Sequence, residues 1–226
     1  MGTGVDENAQ WNNAIGRIIY ALVWLLAWVF MHIVCRYRVE GREHIERIAA
    51  SQPVLIVSNH LSWYDPLLLG LVFPRRVWFF TKVEAFRWPI AGWLIRHTKQ
   101  IAVHRGEGDR TALEHAVSYV HENKALVVFP EGTVERQEKM IAAHTGVAVI
   151  VVRANALVVP VALSGTRRIL RSRGGWRPQV YMRIGTPYVP TLPQGTPRKA
   201  GMQVLTDEMM AKIAEMLPAE QRGVYS

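Results

Sequence analysis

Val54-Leu55-Ile56-Val57-Ser58-Asn59-His60-Leu61-Ser62-Trp63-Tyr64-Asp65-Pro66 reads as a strand that ends in a loop and restarts as a helix, and the fold follows from it. Residues 54–57 form a short, largely β-branched apolar run with Pro53 just before it, which predicts a buried strand. Asp65 followed by Pro66 is a helix-start signature: an aspartate can accept from the first free N–H groups, and proline is preset for the first helical position. A helix is expected over 66–73, with Asn59 and His60 at the C-terminal end of the strand.

That layout matters for chemistry. In one continuous helix, residues five apart stand about 140° apart around the axis and their side chains do not meet. With a turn between strand and helix they can. An aspartate bonded to one imidazole nitrogen fixes the tautomer and leaves the other nitrogen as a base near neutral pH. Ser58 and Ser62 lie close by, but no GxSxG elbow is present, so a hydroxyl of the substrate can take the nucleophile's part. The plainer alternative makes His60 a capped loop histidine and Asp65 only an N-cap.

A second motif weighs against the plainer alternative. Residues 125–129 form another apolar run, which ends in Pro130-Glu131-Gly132-Thr133. This puts a carboxylate and a flexible glycine at a strand's C-terminal edge, where open α/β sheets place ligand sites. The same four residues are also ordinary turn chemistry.

In this order the motifs resemble the glycerolipid acyltransferases, in particular the 1-acyl-glycerol-3-phosphate acyltransferases that make phosphatidic acid. Asn59-His60 through Asp65 is similar to the family's NHxxxxD block, whose histidine is the catalytic base and whose aspartate orients it. Ala102-Val103-His104-Arg105 sits where the family has an apolar stretch ending in a phosphate-binding arginine, which implies that role for Arg105. Phe129 through Thr133 matches the FPEGT block, so Glu131, Gly132 and Thr133 are implied to hold the acceptor. Leu157-Val158-Val159-Pro160-Val161-Ala162 resembles the fourth block, an apolar strand whose central proline, here Pro160, helps shape the pocket. The resemblance spans residues 40–190.

Two positions depart from the family's pattern. Val134 stands where an arginine usually follows FPEGT, with Arg136 two positions later, and His144 stands where a lysine is common. Both changes remove a cation expected to meet a phosphate, and an arginine lost from a bidentate contact is not a neutral change. Arg136 can supply a charge, or the acceptor is a lysolipid with another head group.

The reaction implied is direct attack of an alcohol on a thioester, which needs a base for the hydroxyl proton and stabilisation of the developing oxyanion. His60 supplies the first; backbone N–H groups near Gly132 or at the helix start after Asp65 are candidates for the second. The donor is acyl-CoA or acyl carrier protein, a substrate rather than a cofactor, and no cofactor is called for. No metal is called for either: there is one cysteine, and the histidines, His97 and His104 among them, do not fall into ligand spacings with acidic neighbours.

Residues 18–34 are uncharged and strongly apolar, with Arg17 before them and Arg36 and Arg38 after. As a helix this run is about 26 Å long against a hydrocarbon core of roughly 30 Å, so it barely spans a membrane or embeds from one side. A buried core helix is the alternative. Tyr20, Trp24 and Trp28 recur at i, i+4, i+8 as an aromatic stripe suited to an interface. A signal peptide fits poorly, since Asp6 and Glu7 precede the run and no small-residue cleavage site follows it. Trp63, Trp78, Trp88 and Trp93, with Phe79, Phe80 and Phe86, either line an acyl pocket or pack in the core.

A net charge of +9, a pI near 10.0 and 50% hydrophobic residues favour anionic lipid surfaces or phosphorylated ligands. Arg167, Arg168, Arg171, Arg173 and Arg177 concentrate that charge around Gly174-Gly175, as a site for anionic lipid or the donor's phosphates, or as a solvated loop. Nucleic acid is not expected as a partner, because no zinc finger, helix-turn-helix or RNP-type motif accompanies the charge. The partners expected are anionic membrane lipids, a lysophospholipid acceptor and the thioester donor. The single Cys35 excludes an internal disulfide and suits the cytoplasmic face of a membrane.

Strands are expected over 54–58, 77–81, 99–103, 125–129, 157–163 and 179–185, and helices over 90–96, 110–122 and 146–152 as well as 66–73. Residues 147–152 are β-branched and read locally as strand, whereas the resemblance implies helix. A terminal helix is expected from Thr206 as N-cap to just before Pro218. The alternation predicts an α/β layered fold, a mixed central sheet flanked by helices, with a membrane-associated helical segment over 1–38 and the acyltransferase domain over 39–226. The expected activity is O-acyl transfer to the free hydroxyl of lysophosphatidic acid. The alternatives are another lysophospholipid or glycolipid acceptor, or a catalytically silent lipid-binding protein.

Overall fold

The computed structural model describes residues 14–82, 92, 101–103, 109–134, 137–171 and 177–226. Apart from Gly92, which is helical, the helix expected over 90–96 lies outside them, as do Arg105 and Arg136. In chain order the elements are α1 (Ala14–Val34), β1 (Arg36–Glu40), the one-turn α2 (Glu43–Glu46), β2 (Val54–Ser58), α3 (Asp65–Val72), β3 (Val77–Lys82), β4 (Ile101–Val103), α4 (Asp109–His121), β5 (Ala125–Val128), α5 (Gly146–Ala154), β6 (Leu157–Ser164), β7 (Gln179–Ile184) and α6 (Arg198–Glu215).

A strand with no polar position has to be covered on both faces, and β2, buried throughout, lies near the middle of a seven-stranded sheet ordered β1-β7-β6-β2-β5-β3-β4. From β6 to β4 every pairing is parallel. β7 runs antiparallel to β6 and β1 follows β7 in parallel, so the sheet is mixed. Alternation along β2 divides the core. Leu55 and Val57 face a layer built from α4, α5 and α6, while Val54 and Ile56 face one that holds Met31 and Cys35 with Leu68, Leu69 and Val72 of α3.

Two boundaries differ from expectation. Arg36↔Gln179 through Glu40↔Arg183 pair β1 to β7, so the sheet begins inside the segment expected to stand apart. The terminal helix begins at Arg198, eight residues before Thr206. Thr206 is buried in mid-helix and donates its hydroxyl to Met202 O at 2.8 Å, which satisfies it without a capping role. Residues 146–154 are helical despite their β-branched run. Val147, Ala148, Ile150, Val151 and Ala154 are all buried, and tertiary packing outweighs a propensity difference of tenths of a kcal/mol per residue.

α1 is a helix with two characters. Val23, Ala27, Met31 and, beyond its end, Cys35 form a buried stripe at i, i+4 spacing, whereas Leu22, Leu25, Leu26, Val29 and Ile33 are exposed. Its buried side lies on α3: a Cβ at Gly70 would collide with the Trp24 ring, and the Phe30 and Tyr64 rings stand 6.0 Å apart. The expected aromatic stripe is therefore split, with Trp24 facing the body and Trp28 outward. Among the described residues no helix is long and apolar enough to cross a membrane.

Candidate active site

β2 and β5 are paired neighbours, Val57 opposite Val128, so the residues that follow each strand emerge side by side at the C-terminal edge of the sheet. From β2 come Asn59, His60 and the loop to α3; from β5 come Phe129 to Gly132. The two sequence motifs thus meet in space.

Asp65 is the centre of the loop. Its carboxylate is fully buried, and one oxygen, Oδ2, accepts from Leu61 N at 2.7 Å, from Ser62 N at 2.7 Å and from His60 Nδ1 at 2.9 Å. The direction corrects the expected capping role: Asp65 is the first residue of α3, and its side chain turns back to N–H groups before the helix rather than forward into it. Ser62 Oγ accepts from Tyr64 N at 3.3 Å and helps close the turn. Three donors on one oxygen fix the carboxylate, and with Nδ1–H given to Asp65 the imidazole presents Nε2 as its free base.

The His60 ring has little freedom. It stacks on Phe129, with ring centroids 4.0 Å apart and planes 16° from parallel, and only 13% of its side-chain surface is exposed. Its backbone N–H donates to Glu131 Oε2 at 3.2 Å. Next to it, Asn59 is buried and bonded twice to one residue of β6: Nδ2 donates to Leu163 O at 2.9 Å and Leu163 N donates to Oδ1 at 2.8 Å. Asn59 mimics one more residue of backbone pairing and carries the parallel register past Ser58, where the β2–β6 ladder ends.

The residues implied to hold the acceptor take different places. Glu131 is buried and braces the His60 backbone. Gly132 and Thr133 are exposed at the mouth of the edge. Gly132 has φ +67°, a conformation that glycine adopts without strain, and its N–H is committed to Phe129 O at 3.0 Å, which removes it as an oxyanion donor. A Cβ at Gly132 would lie 3.1 Å from the His144 ring, so His144, exposed and held by its own N–H to Pro130 O at 2.9 Å, stands at the same mouth. Pro160 is buried in mid-strand opposite Val57 and faces Gly185, beneath the edge rather than on it.

The sequence reading gave no role to the Phe129 ring or to the Leu163 backbone. The first had a usable signal, an aromatic directly after a strand paired with the one that carries His60. The second had none, because a backbone partner leaves no mark in residue identity. A cavity of about 190 Å³ lined by Ile45, Val54, Phe73 and Arg75 lies at the other end of β2, and the Arg75 guanidinium there donates to Ala50 O at 2.8 Å and Gln52 O at 2.9 Å as a structural tie.

Comparison with known proteins gives the arrangement its relatives. The Acyltransferase family profile matches residues 36–164. A lyso-ornithine lipid O-acyltransferase of Pseudomonas aeruginosa is 34% identical over 145 residues, 64% of this chain and 53% of that protein. A 1-acyl-sn-glycerol-3-phosphate acyltransferase of Chlamydomonas reinhardtii is 28% identical over 191 residues, 80% of this chain and 56% of that protein. The chain spans about half the length of these curated relatives. The crystal structure of the 1-acyl-sn-glycerophosphate (LPA) acyltransferase PlsC from Thermotoga maritima has the same fold, with a TM-score of 0.65 at 24% identity, covering 85% of this chain and 77% of that one. The profile runs from the first strand of the sheet through the His60 and Glu131 loops to the end of β6: this chain belongs to the Acyltransferase family.

Proposed function

We propose that the protein transfers a fatty acyl group from acyl-CoA or acyl carrier protein to the free hydroxyl of a lysophospholipid at the cytoplasmic face of a membrane. Lysophosphatidic acid is the first acceptor and phosphatidic acid the product. The observation that carries this reading is the His60 Nδ1 to Asp65 Oδ2 bond of 2.9 Å at the C-terminal edge of the sheet. His60 Nε2 takes the hydroxyl proton as the acceptor oxygen bonds to the thioester carbonyl carbon. The C–S bond then breaks, the donor leaves as thiolate, and the imidazolium returns the proton to sulfur. The Asp65 charge stabilises the imidazolium while it exists. Arg105 is the cation we assign to the acceptor's phosphate, with Arg136 as a second.

A specific observation favours a second acceptor. Val134 and His144 occupy the two positions where the resemblance implies an arginine and a lysine, and His144 stands at the mouth beside Gly132. Lyso-ornithine lipid, the acceptor named for the Pseudomonas aeruginosa relative, has an ornithine head group in place of a phosphate, so the two phosphate-binding cations matter less to it. Acyl transfer from radiolabelled palmitoyl-CoA and palmitoyl acyl carrier protein to lysophosphatidate, lyso-ornithine lipid and neutral monoacylglycerol, in parallel, tests both. Labelled phosphatidic acid supports the first reading, labelled ornithine lipid the second. No labelled product with either donor sinks the enzyme reading in favour of a silent lipid-binding protein.

A further inference from the structure

After β6 the chain turns at the same edge of the sheet that carries His60. Residues 165–171 open with one 3-10 turn, Thr166–Arg168, and then alternate: Ile169 is buried, while Arg168, Leu170 and Arg171 are exposed. Ile169 packs in the core layer of Met31 and Cys35, the layer covered by α1 and α3. At the returning end of this excursion the Arg177 guanidinium donates to Cys35 O at 3.3 Å. One end of the excursion thus packs in the layer that α1 helps cover, and the other is bonded to the residue that follows α1.

Leu170 is 66% exposed and has φ +57°. A non-glycine residue in that conformation costs about 1 kcal/mol or more, and a large apolar side chain in water adds no packing in return. Arg168 stands 4.0 Å from Glu138 Oε2 with 66% of its side chain in solvent, and Arg171 is exposed. An isolated exposed leucine would need no explanation, but this one lies between two exposed arginines on a loop anchored to a helix with an uncovered apolar face. Trp63, between His60 and Asp65 in the chain, is 60% exposed as well. An apolar tip flanked by cations suits an anionic bilayer, with acyl chains taking the leucine and head groups the guanidinium groups.

We propose that residues 168–171 form a second membrane contact, in which Leu170 enters the lipid surface and Arg168 and Arg171 bind anionic head groups, so that α1 and this loop together fix the orientation of the His60 edge on the bilayer. The proposal rests on the reading of the protein as membrane-associated.

The test is flotation of the full chain with vesicles of phosphatidylcholine alone and of phosphatidylcholine with phosphatidylglycerol. Leu170→Gly relieves the left-handed backbone strain, so its thermal midpoint stays level or rises, while partitioning falls about fivefold on both compositions. Arg168→Gln with Arg171→Gln lowers partitioning more than tenfold on the anionic vesicles and little on phosphatidylcholine alone. Flotation of both variants equal to wild type on both compositions overturns the proposal. So does unchanged flotation with weakened binding of acyl carrier protein, which would make the loop a donor-docking surface. Wild type that floats, with the variants impaired as stated, yet transfers no acyl group removes the proposed reaction and leaves this surface standing.

Discussion

At the residue scale, the account turns on one buried carboxylate oxygen with three donors. Asp65→Asn keeps the shape but cannot accept from Leu61 N–H, Ser62 N–H and His60 Nδ1–H with the same charge, and acyl transfer should fall by about three to four orders of magnitude. Asp65→Ala should also destabilise the fold by roughly 1–3 kcal/mol or more, since two buried backbone donors lose their acceptor, and urea unfolding measures that cost. Asn59→Ala breaks both bonds to Leu163 and should cost about 2 kcal/mol, with a loss of activity that the stability loss alone does not explain. His60 and Asp65 were legible from spacing and from the Asp-Pro helix start. The direction of the Asp65 carboxylate was not, because the same two residues satisfy a forward cap and a backward brace.

At the scale of elements, strands with continuous apolar runs, β2, β5 and β6, were readable almost to the residue, since burial on both faces leaves no alternative. β1 escaped notice although Arg36-Tyr37-Arg38-Val39-Glu40 alternates, because the apolar run of α1 ends directly before it and draws the eye to a single segment. The start of α6 was hidden for a different reason: Gly201 and the prolines before the helix look like loop, and Thr206 with Asp207 offers a better local cap. The turn after β5 makes its own prediction. Gly132→Ala forces a side chain into φ +67° against the His144 ring and should destabilise by about 1 kcal/mol, while displacing Glu131 from His60 N and lowering kcat more than it raises KM. A Gly132→Ala variant with wild-type kcat would show that the Glu131 brace is dispensable.

At the scale of the whole molecule, two layers cover the sheet and the His60 and Glu131 loops meet at its C-terminal edge, while α1 belongs to the body by one face and to its surroundings by the other. Its junction with β1 holds Cys35, whose thiol burial pushes up to about 11 against the opposing pull of Arg177. The unfolded thiol ionises near 9.0, so the folded state excludes an ion that the unfolded state gains. That contribution to stability is fully present below pH 9 and is lost as pH rises towards 11. Native protein should resist iodoacetamide at pH 8 and be labelled rapidly only after unfolding; rapid labelling of the native chain would contradict the packing of Cys35 against Met31 O. The measurement that tests the central claim most directly is kcat for acyl transfer by wild type and by His60→Ala, at matched thermal midpoints, on whichever acceptor wild type uses. The account predicts a loss of about a thousandfold or more with the fold intact; a His60→Ala enzyme within about tenfold of wild type would contradict it, because the base would then lie elsewhere.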